Sequence, residues 1–155
     1  MPTAAATTNE PAAAGPSLSY VSTGLLALAD WLESKRRFLA LPDDVLVLPA
    51  HNTPFHGLHA RLRYLIAHHE DHLAALEEAC VTPSVALELL PVIFRRKLDV
   101  EQTGLALGEC IAHLNFLLHA GRVRRELDGD GLHRYIAVDP AVAARAGTVA
   151  HQRDD

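Results

Sequence analysis

The run Val45-Leu46-Val47-Leu48, closed off by Pro42 and Pro49, restricts the fold more than any other feature of this sequence. Four consecutive aliphatic residues, two of them β-branched, predict a short strand buried on both faces rather than an alternating surface strand. Such a strand needs a sheet to lie in, and no other strand candidate precedes it. Residues 1–22 are rich in Ala, Thr and Pro and carry one charged side chain, Glu10. They bury too little to offset their chain entropy and are expected to be a disordered tail. Ser22 or Thr23 would cap a helix in which Leu25, Leu28, Leu32 and Leu39, with Trp31, recur at helical spacing. Lys35, Arg36 and Arg37 gather at its far end, where cations favour the helix dipole. The aliphatic run therefore implies one strand of a sheet that the preceding residues do not supply.

Downstream the pattern changes. A loop, His51-Asn52-Thr53-Pro54-Phe55-His56-Gly57, leads into a long helical pattern from Leu58 to Cys80. Its stripe is Leu58, Leu62, Leu65, Ile66, His69, Leu73 and Leu76, with Arg61, Arg63, Glu70 and Glu77 outside it. Thr82-Pro83-Ser84 is punctuation, and a short helix is expected over Ser84–Leu90. Leu107, Cys110, Ile111, Leu114, Leu117 and Leu118 form a further helical stripe, and Gly121 stands where a helix-ending glycine belongs. Val123–Leu127 and Leu132–Ile136 then flank Asp128-Gly129-Asp130-Gly131, a strong hairpin signal. Helix, helix, glycine stop and hairpin describe a winged helix-turn-helix with a β-hairpin wing. The expected fold is mainly α, with a first unit over 23–81, the winged-helix domain over 82–139 and a flexible tail over 140–155.

Composition excludes several classes. Aromatics are 5% of the chain, so the core must come from Leu, Val, Ile and Ala, and a net charge of −5 argues against a general nucleic-acid binder. The second long helix carries no Lys or Arg from Glu101 to Ala120, where a recognition helix would need them. Arg124 and Arg125 could touch phosphate at the wing, or, with Arg95, Arg96, Lys97 and Arg122, pair with Asp99, Glu126 and Asp128. Cys80 and Cys110 lack metal or redox spacing and read as buried thiols of a reducing cytoplasm. Charge interrupts every apolar stretch before the roughly 18–20 residues of a membrane span, and no secretory signal is visible.

A histidine at the end of a rigid strand is well placed to aim an imidazole at a metal, so His51 is a candidate ligand. Taken by itself it reads more readily as a loop histidine bonded to backbone, since one histidine does not make a metal site. His68-His69-Glu70-Asp71-His72 is not a His-Glu-x-x-His motif. His68 and His72 share a helix face, where weak metal binding competes with the plainer reading of a polar face with His69 at the seam.

Wider spacing adds to this. Leu48-Pro49-Ala50-His51-Asn52-Thr53-Pro54, followed by Gly57-Leu58-His59-Ala60-Arg61-Leu62 and Ile66-Ala67-His68-His69, resembles the end of the metallo-β-lactamase domain. Within that family it is similar to the hydrolases related to glyoxalase II and to the β-lactamase-like endoribonucleases. The segment Leu28-Ala29-Asp30-Trp31-Leu32-Glu33-Ser34 looks like the family's helix before that strand, and the resemblance spans about residues 28–138. It implies the final strand and helix of an αββα domain, His51 as a metal ligand, and an associated winged helix. It also implies zinc, two ions in complete members, and a small-molecule ester or thioester substrate attacked by metal-bound hydroxide. His59, Arg61 and His68 would be pocket or anion contacts. The departures are as informative: the family's His-x-His-x-Asp-His motif is absent, and its two loop glycines are here Ala50 and Asn52. Asn tolerates left-handed backbone, while Ala would be strained if its position needed positive φ. One ligand cannot hold a catalytic zinc, which takes about three. The chain is thus expected to be the C-terminal segment of such a hydrolase, incompetent alone and open to homodimerisation through uncovered apolar surface. A stand-alone winged-helix interaction or nucleic-acid-binding module is the alternative.

Overall fold

A computed structural model of the chain describes residues 19–139 and Ala141. Its elements run α1 (Ser19–Phe38), α2 (Leu58–Ala79), β1 (Ser84–Val85), α3 (Leu90–Ile93), α4 (Val100–His119), β2 (Val123–Leu127) and β3 (His133–Ala137). The expectation of a tail over 1–18 and over 142–155 lies outside the described residues. Residues 19–22, assigned to that tail from composition, belong to α1 instead. The basic residues Lys35, Arg36 and Arg37 do occupy its last turn.

The aliphatic run does not become a buried strand. Val47 makes one isolated bridge, its N–H donating to the Phe55 carbonyl at 2.8 Å and its own carbonyl accepting from the Phe55 N–H at 3.1 Å. Leu46 and Leu48 are 56% and 73% exposed. Hydrophobicity selected the strand reading, but a strand is completed only by neighbouring strands, and within the described residues none reaches this run.

Three long helices form the core. Leu28 and Leu32 of α1, Leu73 and Leu76 of α2, and Cys110, Leu114 and Leu117 of α4 meet in one cluster. Helix α4 is well delimited. The Asp99 side chain accepts from the Gln102 N–H at 2.8 Å, satisfying one of the free donors of the first turn. Gly121 ends it at φ 68°, with its N–H bonded to the Leu118 carbonyl and the Arg122 N–H bonded to that of Leu117. This paired closure requires a left-handed residue, which glycine adopts without steric cost.

The expected hairpin forms, with Val123 opposite Ala137 and Leu127 opposite His133. Asp128 organises its turn, its Oδ1 accepting from the N–H groups of Asp130 and Leu132 at 3.0 and 2.9 Å. Those backbone donors, with the Arg134 guanidinium, hold its carboxyl below the usual range. The sheet has a third strand that the pattern did not announce. Ser84–Val85, expected to begin a short helix, pairs antiparallel with Tyr135 and Arg134 as β1, giving the order β1-β3-β2. Residues 86–89 are turn, and the helix is α3, four residues long and later than expected. Two residues after Pro83 favour extended backbone once an edge of β3 is available, and helix propensity over seven residues is too weak to resist.

Glu77, placed on the solvent side by periodicity, is 8% exposed. Arg122, just after the α4 stop, closes over it. Its Nε–H donates to Glu77 Oε2 at 3.0 Å and its Nη2 meets the same oxygen. Together with the bond from the Ala137 N–H to the Cys80 carbonyl, 2.8 Å, this pair fastens the hairpin to the end of α2. Cys80 and Cys110 are both free and fully buried, and burial pushes each thiol up to about 12. Within the described residues, no helix is long and apolar enough to cross a membrane.

Candidate functional site

Two places gather histidines. The first is the loop before α2, where a shallow depression of about 520 Å³ is lined by Pro49, His51, Asn52, Phe55, His56 and Arg61 among others. His51 is exposed. Asn52 adopts φ 71°, the left-handed conformation its side chain tolerates, and within the described residues it is the one non-glycine to do so. Ala50 therefore needs no positive φ, and that possible source of strain is absent. Gly57 at φ 88° turns the chain into α2.

The loop is held from both sides. His56 Nδ1–H donates to the Asp44 carbonyl at 3.0 Å. His59, expected as a pocket contact, instead ties the turn before the loop: its N–H donates to Asp43 Oδ1 at 2.7 Å and its Nε2–H to the Leu41 carbonyl at 2.8 Å. It is absent from the residues lining the depression. Arg61 does line it, with its guanidinium 5.6 Å from the Tyr64 ring centre. His68 is exposed and absent from this lining, stacked beside Tyr64 and 4.1 Å, ring to ring, from His72. At the hairpin, Arg124 forms an ion pair with Glu126, and Arg134 joins Asp128 at 2.8 Å. One of the internal pairings open to the basic residues is thus realised, Arg124 with Glu126, whereas Arg122 takes Glu77 rather than any of the three acids considered.

The second place is between α2 and α4. His69 and His72, a turn apart on α2, face Glu109 and His113, a turn apart on α4. One ligand atom from each of the four lies within 4.8 Å of all the others. His69 Nδ1 and His113 Nε2 are 3.0 Å apart. His113 Nδ1 is 2.8 Å from the Glu109 carbonyl, which can only accept, so that nitrogen carries the proton and Nε2 presents its lone pair. In the neutral pair His69 Nδ1–H must then be the donor.

His113 is 1% exposed. His72 Nδ1 is buried and has no hydrogen-bond partner, an omission that costs about 1–3 kcal/mol. Burial is the main cause that lowers all three imidazoles below their ordinary value of 6.5, and neighbouring imidazoles lower them further while the Glu109 carboxylate opposes. Trp31 of α1 lies edge-on to His69, centroids 4.7 Å apart, and closes that side. The sequence named His69 as a seam residue and the His68–His72 pair as a weak ligand set. It missed Glu109 and His113, whose Glu-x-x-x-His spacing was the available signal.

Residues 73–138 match the family model of the metallo-beta-lactamase-like C-terminal domain. The chain is similar to the crystal structure of a beta-lactamase domain protein from Burkholderia ambifaria, at 43% identity and a TM-score of 0.70, over 72% of this chain and 33% of that one. It is also similar to a metallo-beta-lactamase family protein from Thermus thermophilus, at 31% identity and a TM-score of 0.58, over the same shares. The chain thus spans about a third of the length of each of these structures. No curated protein matches it. The resemblance expected from the loop and helices holds at the level of a metallo-beta-lactamase-like C-terminal region.

Proposed function

We propose that the chain is the closing segment of a metal-dependent hydrolase of the metallo-β-lactamase fold, in which His51 supplies one ligand to a zinc centre. Residues 82–139 would be its winged-helix domain and residues 23–81 the last helices and loop of the hydrolase unit. The observation that carries this reading is the His51 loop. It is fastened by His56 and His59, turned by a left-handed Asn52, and open toward a depression containing Arg61. A 43% identical solved relative, of which this chain covers 33%, supports it. Exposed Phe38, Leu41, Leu46 and Leu48 fit surface that the remaining two thirds of such a relative would cover, with a second copy of this chain as the other occupant.

A complete centre would polarise an ester or thioester carbonyl and supply the attacking hydroxide. His51 would orient the ion from its anchored loop, and Arg61 would hold an anionic substrate group. The chain by itself offers one such ligand there and is not expected to turn over substrate. For the nucleic-acid alternative, Arg124 is paired with Glu126 while Arg125 is exposed, and the net charge of −5 is what favours the hydrolase reading over it.

The test is a chimera. Residues 28–138 replace the corresponding third of the Burkholderia ambifaria protein, and bound metal is counted with and without His51→Ala. The reading expects metal to be retained by the chimera and reduced by the substitution. Unchanged metal content after His51→Ala, or zinc-dependent hydrolysis by the isolated chain, would overturn it.

A further inference from the structure

We propose that His69, His72, Glu109 and His113 form a binding site for a divalent transition-metal ion of the zinc type, stapling α2 to α4. This site is separate from the His51 loop and does not depend on the reading given to it. His69 lies eleven residues into α2 from Leu58, about 16 Å along the helix axis from its start.

The donor set is the first argument. Three imidazoles and a carboxylate suit zinc and its first-row neighbours, in the four-coordinate arrangement usual for structural sites. Both helices present their pair one turn apart, at i and i+3 on α2 and at i and i+4 on α4, so each pair converges on one point. Bonds of about 2.0–2.1 Å at a tetrahedral ion place donors about 3.3 Å apart. His69 Nδ1 and His113 Nε2, at 3.0 Å, are within a few tenths of an ångström of that spacing. The remaining donors, up to 4.8 Å apart, would draw in by rotation of side chains rather than by movement of helices.

Orientation is the second argument. His113 donates its Nδ1–H to the Glu109 backbone carbonyl, the outer contact that commonly fixes a ligating histidine and leaves the other nitrogen bare. His72 has a buried ring nitrogen with no partner, which an ion or an ion-ordered tautomer would relieve. The protons balance. Without metal, the His69 Nδ1–H bonds to His113 Nε2. With metal, His69 takes its other neutral tautomer, the proton moving from Nδ1 to Nε2 through solvent, and both facing lone pairs bind the ion. No imidazole loses net charge, and Glu109 reduces the charge of the filled site from +2 to +1.

Trp31 supplies the readout, being the one tryptophan of the chain and 4.7 Å from the His69 ring. The full chain, freed of metal with a chelator, is titrated with Co²⁺ while visible absorption and Trp31 fluorescence are followed, and Zn²⁺ then competes. One Co²⁺ per chain with tetrahedral absorption bands and quenched Trp31 emission is expected. His72→Gln and Glu109→Gln, neither at a fully buried position, should each weaken binding by at least about 100-fold with helical circular dichroism unchanged, whereas His51→Ala should leave it intact. Glu109→Gln decides the matter if His72→Gln does not fold. Absence of Co²⁺ bands and quenching, undiminished affinity in both Gln variants, or loss on His51→Ala would each overturn the proposal.

Discussion

Arg122→Ala removes the cation that covers Glu77 and leaves a carboxylate whose side chain is 11% exposed. Breaking a fully buried ion pair from one side costs about 3–5 kcal/mol, because the stranded charge keeps its desolvation penalty. Glu77 is close to that limit, but the Arg122 side chain is 37% exposed, so water already screens the pair and can enter when the guanidinium is gone. The loss should therefore be about 2 kcal/mol. Glu77→Gln keeps an acceptor for the Nε–H that now donates at 3.0 Å and should cost about half as much. Replacing both residues by Leu strands no charge and should recover most of the loss. Urea unfolding followed by circular dichroism measures each value. With a slope of about 2 kcal/mol/M for a domain of this size, Arg122→Ala should lower the midpoint by about 1 M. A shift below about 0.2 M, or a double Leu variant no more stable than Arg122→Ala, would refute the view that Arg122 compensates a buried charge.

Other consequences are as direct. For the metal-free chain, stability should be complete above about pH 6.5 and fall as pH drops. The unfolded chain protonates its histidines near that value, while folded His69, His72 and His113 resist through burial and through one another and His68, opposed by Glu109 and Asp71. Thermal midpoints that stay flat from pH 7 to pH 5 would contradict this. Gly121→Ala should destabilise by about 1 kcal/mol, since a Cβ there meets open space and only the φ of 68° penalises it. An unchanged midpoint would count against the left-handed stop. Cys80 and Cys110, with thiols pushed up to about 12, should be inert to a thiol reagent in the native protein at pH 8 and react on unfolding. Rapid native labelling of either would show that the core opens there.

Much of this protein is written locally. The stripes of α2 and α4, the stop at Gly121 and the hairpin around Asp128-Gly129-Asp130-Gly131 are settled by neighbours three or four residues apart, where periodicity and glycine chemistry act, and the structure keeps them. Asn52 in place of a loop glycine was likewise interpretable, because tolerance of positive φ is a property of the residue itself. Elements that depend on a distant partner were not. Ser84–Val85 is a strand because β3 offers an edge, and Val45–Leu48 is not one because, among the described residues, it meets only the single Phe55 bridge. Glu77 is buried because Arg122, 45 residues later, neutralises it there. His69 and His113, 44 residues apart, became a shared site only when α2 packed on α4. The sequence by itself determined where α2, α4 and the hairpin lie. Tertiary packing alone decided which polar side chains went inside and which of ten histidines met, since burial and proximity belong to pairs of elements, not to any one of them.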